Sequence, residues 1–144
     1  MEETVSMEKT AAAQINPVTL AFLGDAVYSL YVREQLVKSG KGKAADLQRA
    51  ASKIVSAKGQ SEFLEKVLPI LTQEEEEIYR RGRNAKKATK SKSASAIEYN
   101  RSTGFEAVLG YLHLTGQTER IETLLSMIDK ESLRGVASEK VYKP

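Results

Sequence analysis

Two acidic residues occupy stretches of the sequence that are otherwise apolar or small. Asp25 lies in LAFLGDAVYSL (20–30), and no Lys or Arg occurs within seven residues of it on either side. Glu106 is the only acidic residue of GFEAVLGYLHL (104–114), where the sole other titratable side chains are Tyr111 and His113. A carboxylate withdrawn from water without a partner costs several kcal/mol, roughly. The sequence therefore predicts a specific partner for each acid.

Each of these stretches also carries a glycine inside a helical pattern, Gly24 beside Asp25 and Gly110 one turn after Glu106. Interior glycine costs about 1 kcal/mol relative to alanine, so it usually marks a packing or functional need such as the close approach of two helices. If the two helices cross here, the acids converge, and adjacent carboxylates stay ionised only with a cation between them. Mg²⁺, with Mn²⁺ as its substitute, accepts carboxylate oxygens and keeps several waters. The pattern leaves open that each acid instead pairs with a basic side chain, a tyrosine or a backbone donor.

Composition limits the other kinds of site. The 144 residues contain no cysteine and one histidine, so thiolate chemistry and multi-histidine metal sites are excluded within one chain. The N-terminal segment MEETVSMEKTAAAQ has neither a basic nor an apolar signal region, and no apolar run approaches the roughly 20 residues that span a bilayer. We expect a soluble, cytoplasmic protein with an oxygen-ligated metal, if it holds one.

The periodicity predicts an all-α fold in one domain. Glycine and proline fall mainly at junctions, and alternating β-branched residues are scarce. The predicted helices are 17–39, 43–56, 60–68, 72–82, 96–114 and 118–133, with a basic loop over 84–96. The helices that contain Asp25 and Glu106 are apolar nearly all round, so we expect them at the centre of a bundle. Residues 1–14 are predicted to be a flexible N-terminal tail, 15–135 the folded domain, and 136–144 a C-terminal tail.

At these same segments the chain resembles the ribonuclease III family. LAFLGDAVYSLYVRE is similar to the signature helix of that family, and TGFEAVLGYLHL to its second acidic motif. SKIVSAKGQSEFL (52–64) and EEEEIYRRGRNAK (74–86) are similar to the Mini-III branch, whose members lack a double-stranded-RNA-binding domain. The resemblance implies that 15–135 is an all-helical catalytic domain, homodimeric, which uses Mg²⁺ to hydrolyse double-stranded RNA and leaves a 5′-phosphate.

The resemblance also assigns residues and a substrate. It implies that Asp25 and Glu106 are the catalytic residues and metal ligands. Classical members have two further carboxylates where this chain has Ala21 and Thr103. Mini-III members likewise lack these two carboxylates. The implied task is maturation of the ends of the 23S (large-subunit) ribosomal RNA precursor, assisted by a large-subunit ribosomal protein.

A basic segment lies just upstream of Glu106. From Arg80 to Arg101 there are eight basic residues and one acid, Glu98. A-form RNA is recognised mainly through phosphates, 2′-hydroxyls and shape, so this segment is the predicted RNA contact. The candidate contacts are Arg83, Asn84, Lys86, Lys87, Lys90, Lys92 and Arg101. The alternative is a solvated loop whose charge only maintains solubility.

Two further expectations concern assembly and the competing function. One site cuts one strand, so a double cut needs two sites related by a two-fold axis, and Phe22 could pack across that axis. The alternative to an enzyme is a non-catalytic dimeric helical module that binds structured RNA, having lost ligands at Ala21 and Thr103. A bundle that binds only proteins would show no salt-dependent affinity for RNA.

Overall fold

The protein is all-helical in the residues that the structure, a computed structural model, describes: 6–40, 42–86 and 95–128. The all-α prediction is therefore confirmed. The elements are α1 (Lys9–Ala13), α2 (Pro17–Lys38), α3 (Ala44–Val55), α4 (Ala57–Val67), a 3₁₀ turn (Leu68–Ile70), α5 (Gln73–Asn84), α6 (Ala96–Leu114) and α7 (Thr118–Leu125). No helix of the described residues is long and apolar enough to cross a bilayer.

The helix starts follow from capping residues that are visible in the sequence. The Asn16 side chain accepts from the amide of Val18 at 2.8 Å, and Pro17 takes the first helical position of α2. Helices α5 and α6 each begin with a capping box, in which Thr72 or Ser95 exchanges hydrogen bonds with the glutamate three residues later. These local bonds explain why the predicted starts of α2, α5 and α6 agree closely with the structure.

Of the helix pairs that the structure describes, α2 and α6 make the most extensive contact, and they form the centre of the bundle, as predicted. Their backbones touch at the two glycines. A Cβ atom on Gly24 would lie 1.7 Å from the carbonyl oxygen of Glu106, and one on Gly110 would lie 2.0 Å from that of Leu20. Only glycine fits at either position, so the crossing point is fixed by sequence and places Asp25 beside Glu106.

The end of α5 differs from the prediction. Gly82 does not end this helix, which continues to Asn84. Gly82 is instead buried at a second close contact, where an added Cβ would lie 2.9 Å from the Cα of Gly104 on α6. The glycine thus serves packing against α6, and α5 carries two more residues toward the basic segment.

Within the N-terminal segment predicted to be a flexible tail, residues 9–13 form α1 and residues 6–14 dock onto the bundle. Ala12 is fully buried. The Met7 amide donates to the carbonyl of Leu114 at 2.8 Å, and the Arg81 guanidinium donates to the carbonyl of Ala13 at 2.6 Å. The long-range hydrogen bonds explain the difference, since such contacts leave little trace in local sequence. Residues 1–5 and 129–144 lie outside the described residues.

Candidate active site

The two displaced carboxylates meet where α2 crosses α6. Glu106 is partly buried, and its carboxyl group lies against that of Asp25 and the amide of Gln60. The pKa of Glu106 is raised to about 8, chiefly by burial and then by the charge of Asp25, with a smaller contribution from a hydrogen bond between the two carboxyl groups. The Gln60 hydrogen bond opposes that rise. Two acids in contact is the arrangement that the glycine pattern predicted.

The degree of burial differs from the prediction for one of the acids. Asp25 is exposed on α2, and only Glu106 is withdrawn from water. The reason is that the neighbouring face of α2 is not covered by any described part of the same chain: Phe22 and Leu30 on that side are 82% and 60% exposed. An apolar helix in the sequence therefore did not mean a helix buried on all sides.

Neither acid has a basic partner among the described residues. The ion pairs there join Arg49 to Asp46, Arg101 to Glu65, and Arg120 to Glu75. The pairing of Asp25 and Glu106 with basic side chains, which the sequence left open, is thus not observed in this part of the chain. What faces Glu106 instead is a second carboxyl group and an amide.

Gln60 completes the site and is a residue that the sequence interpretation missed. It is fully buried, and its Nε2 donates to Oε2 of Glu106 at 3.1 Å and to the carbonyl of Val55 at 3.0 Å. Its Oε1 is buried and has no hydrogen-bond partner among the described residues. Leaving a buried polar atom unpaired costs about 1–3 kcal/mol, so such an atom in a native protein calls for an explanation, such as a bound water or ion.

A signal for Gln60 was present in the sequence. The buried stripe of α4 consists of Gln60, Phe63, Leu64 and Val67, spaced i, i+3, i+4, i+7. A polar side chain in the first position of an apolar stripe is out of place in the same way as Glu106 is on α6. Applying the same test to α4 would have identified it.

The donor set suits a hard divalent cation. Carboxylate and amide oxygens are ligands that Mg²⁺ and Mn²⁺ prefer, and Mg²⁺ needs only one or two carboxylates because it keeps several waters. Within the described ranges no group of three or more His, Cys, Asp or Glu side chains is placed to hold a metal ion. The residues present therefore fit an ion held by Asp25 and Glu106, with open positions for water and substrate.

The two positions where classical family members carry further carboxylates contribute to packing. Ala21 is buried on α2. Thr103 is 6% exposed, and its hydroxyl donates to the carbonyl of Tyr99 in the preceding turn of α6 at 3.0 Å. Neither residue carries a carboxylate, so Asp25 and Glu106 are the two acids that remain of the four in the classical pattern.

The predicted RNA contacts fall into three groups. Lys86 and Asn84 are exposed, and Arg83 stacks over the ring of Tyr79 at 5.6 Å while its Nε donates to Asn84 at 3.2 Å. Arg101 is partly buried and pairs with Glu65 at 3.0 Å, so it is engaged within the protein. The remaining candidates, Lys87, Lys90 and Lys92, lie outside the described residues.

Comparisons with known proteins identify the family of this chain. Residues 18–117 match the Ribonuclease III domain family. The chain is 51% identical to Mini-ribonuclease 3 of Streptococcus pneumoniae, over 78% of this chain and 89% of that protein, and 44% identical to Mini-ribonuclease 3 of Staphylococcus aureus, over 79% and 87%. An X-ray structure of a Fusobacterium nucleatum protein matches with a TM-score of 0.72 and 29% identity, covering 81% of this chain and 93% of the other. The match, which spans both acidic motifs and most of the chain, shows that this protein belongs to the ribonuclease III family, in its Mini-ribonuclease 3 branch.

Proposed function

We propose that this ribonuclease is a Mg²⁺-dependent endonuclease of double-stranded RNA, with Asp25 and Glu106 as its catalytic residues and metal ligands. The observation that supports this most is the environment of the Glu106 carboxyl group. Its carboxyl group is withdrawn from water against a second carboxyl group, with no basic partner among the described residues. A divalent cation is the ligand that makes this arrangement favourable, because it allows both acids to ionise.

The chain's own residues orient the ion and the RNA. Asp25 projects from α2 at the exposed edge of the site, where substrate can approach, and Glu106 projects from α6 at the buried side. When bound, the ion supplies an activated water for in-line attack at phosphorus and stabilises the leaving oxygen. The close glycine contacts between the helices hold the two carboxyl groups together before the ion arrives.

We further propose that the basic segment between α5 and α6 binds phosphates of the duplex. Arg83, Asn84 and Lys86 at its start are placed at the C-terminal end of α5. Lys87, Lys90 and Lys92 are proposed contacts from sequence alone, and Arg101 would have to exchange Glu65 for a phosphate. Each phosphate contact should steepen the fall of affinity with salt by about one unit in log–log slope.

The proposed substrate is the precursor of 23S ribosomal RNA, trimmed at its ends in the cytoplasm with the help of a large-subunit ribosomal protein. This assignment rests on the resemblance to the Mini-III branch. Its test is the length of the 23S ends in cells that carry Asp25→Asn as the sole copy: extended ends support the assignment, and mature ends contradict it.

A homodimer is proposed through the exposed face of α2. Phe22, Leu30 and Val37 are 82%, 60% and 66% exposed and fall within about 80° of one another at 100° per residue. An unpaired apolar stripe of this kind, bordering Asp25, suits a second copy of the chain. Phe22→Arg should reduce the solution mass by half, whereas Ile70→Arg, at an exposed apolar residue in the 3₁₀ turn, should not. Equal masses for wild type and Phe22→Arg would contradict this interface.

The nuclease proposal is tested by incubating duplex RNA with the protein in Mg²⁺ and in EDTA. We expect cleavage only with Mg²⁺, loss of cleavage in Asp25→Asn, and wild-type cleavage in Glu34→Gln, an exposed acid on the same helix. Equal cleavage by Asp25→Asn would reject the assigned site. Binding of RNA by the wild type in Mg²⁺ without any cutting would favour the non-catalytic RNA-binding module instead.

A further inference from the structure

Gln60 is a fully buried polar side chain that hydrogen-bonds the carboxyl group of Glu106. It belongs to α4, a helix that contributes neither of the acids, and it reaches α6 through its amide. The same Nε2 donates to the carbonyl of Val55 near the end of α3. Gln60 therefore ties α3 and α4 to the carboxyl group of Glu106.

The orientation of this amide is fixed by its neighbours. The carbonyl of Val55 can only accept a hydrogen bond, and the carboxylate oxygen of Glu106 is an acceptor when ionised. The amide nitrogen must therefore face both, which directs Oε1 away from them. The unpaired state of Oε1 is a consequence of this constraint.

The hydrogen bond from Gln60 restrains the carboxyl group of Glu106. A glutamate side chain has three rotatable bonds, so its carboxyl group would otherwise sample several orientations. The hydrogen bond from Gln60 engages Oε2 of Glu106 and so restrains the carboxyl group that faces Asp25. With Ala21 and Thr103 in place of further acids, the orientation of these two carboxylates determines how well the site binds a cation.

We propose that Gln60 is a positioning residue for the divalent cation, which holds Oε2 of Glu106 so that the other carboxylate oxygen stays directed to the ion shared with Asp25. This role rests on the proposed function. Because the amide nitrogen faces Glu106 and Val55, Oε1 of Gln60 is left buried without a partner among the described residues. An unpaired buried oxygen costs about 1–3 kcal/mol, so packing alone does not explain an amide at this position.

The test is the affinity of the protein for Mn²⁺ without RNA, measured from the free Mn²⁺ signal in electron paramagnetic resonance. Gln60→Met keeps the length of the side chain but removes the amide. Gln60→Asn keeps the amide but is one methylene shorter, and it serves as the second variant if Gln60→Met does not fold. We expect each to weaken Mn²⁺ binding by about tenfold, the lower end of the effect of losing a group that orients a metal ligand.

A structural control separates positioning from packing. Val67→Ala removes buried volume from the same face of α4 and lowers stability, but it should leave Mn²⁺ affinity within about twofold of wild type. In RNA cleavage, raising the Mg²⁺ concentration should restore the rate of the Gln60 variants, because the defect lies in ion affinity. Gln60 variants that bind Mn²⁺ as tightly as wild type would overturn the proposal.

Failure of the Gln60 proposal can be distinguished from failure of the nuclease proposal. If the wild type binds Mn²⁺ in an Asp25-dependent manner but does not cut RNA, the nuclease proposal fails and the role of Gln60 is still decided by the titration. If the wild type cuts RNA and the Gln60 variants match it in Mn²⁺ affinity, only the positioning role fails.

Discussion

Glu75 and Glu106 are both acids withdrawn from water in the same helical bundle, yet their surroundings are opposite. Glu75 is 4% exposed, and its two carboxylate oxygens accept from Arg120 at 2.8 and 2.9 Å. The Thr72 amide also donates to it at 2.9 Å. Glu106 faces Asp25 and a neutral amide, without a basic side chain in the described part of the chain.

The different partners shift the pKa values of the two acids in opposite directions. Burial alone would raise the pKa of Glu75, but hydrogen bonds from Arg120 and Thr72 outweigh it and lower that pKa. For Glu106, burial and Asp25 act in the same direction and raise the pKa to about 8. Glu75 is thus satisfied within the protein and stabilises it, whereas Glu106 has no countercharge among the residues that the structure describes. This contrast is the physical basis for proposing that Glu106, and not Glu75, binds a cation.

The largest expected effect of this contrast is on catalysis. Glu106→Gln removes a proposed metal ligand and should lower the cleavage rate by at least about 1,000-fold, equivalent to about 4 kcal/mol of barrier. Glu75→Gln makes the same chemical change at a residue whose partners are Arg120 and Thr72 and not the carboxyl pair. The folded Glu75→Gln variant should therefore cleave RNA within about threefold of the wild-type rate. A comparable loss in both variants, with both folded, would contradict the distinction between the two acids.

The next effect tests the crossing that creates the site. Gly24→Ala places a methyl group 1.7 Å from the Glu106 carbonyl. The helices must separate, so we expect the free energy of unfolding to fall by about 3 kcal/mol in urea titrations. Ala26→Gly, at an exposed position two residues later, should cost only about 1 kcal/mol from helix propensity. A Gly24→Ala variant as stable as wild type would show that the crossing tolerates a wider separation.

A smaller effect is expected for Glu75→Gln on stability. Removing one partner of a buried ion pair leaves the other uncompensated, but the Arg120 side chain is 26% exposed and water screens part of the loss. We expect a decrease of about 2 kcal/mol at pH 7, measured by urea unfolding. Because the folded pKa of Glu75 lies below its ordinary value, this contribution is present above pH 4.5 and is lost as the pH falls through the folded pKa. A deficit that persists unchanged in acid would contradict the ion-pair explanation.

The smallest effect concerns Glu106 in the absence of divalent ions. Its folded pKa of about 8 lies above the ordinary 4.5, so the folded state holds a proton that the unfolded state releases in this range. Stability from this group is therefore complete at acidic pH and is lost as the pH rises toward 8. Relative to Glu106→Gln, the wild type should lose about 1–2 kcal/mol between pH 6 and 8 in EDTA. Parallel stability curves for the two proteins would contradict the raised pKa.

Local signals explain how much of this fold was predictable. Asn16, Thr72 and Ser95 cap their helices with bonds to residues two or three positions away, so those starts could be identified from sequence. Gly24 and Gly110 predicted the central crossing because an interior glycine needs a reason. The docking of α1 depends on Arg81, which is 68 residues from its partner Ala13, and no local pattern encodes that contact.

The two acids of the site could be predicted from sequence, but their exposure and the contribution of Gln60 could not. Asp25 and Glu106 were identified because each is a charge in an apolar stretch. Their different exposure was not, because it depends on which face of α2 the rest of the chain covers. Gln60 was missed because an uncharged amide in an amphipathic helix contrasts less with its neighbours than a carboxylate does, although its stripe position was visible.

The central claim is that one divalent cation binds between Asp25 and Glu106. The most direct measurement is the anomalous difference density of crystals grown with Mn²⁺. We expect a peak in contact with carboxylate oxygens of both residues, and its absence in Asp25→Asn crystals prepared in the same way. A structure in which Mn²⁺ binds elsewhere, while Asp25 and Glu106 separate and pair with basic side chains, would contradict the account.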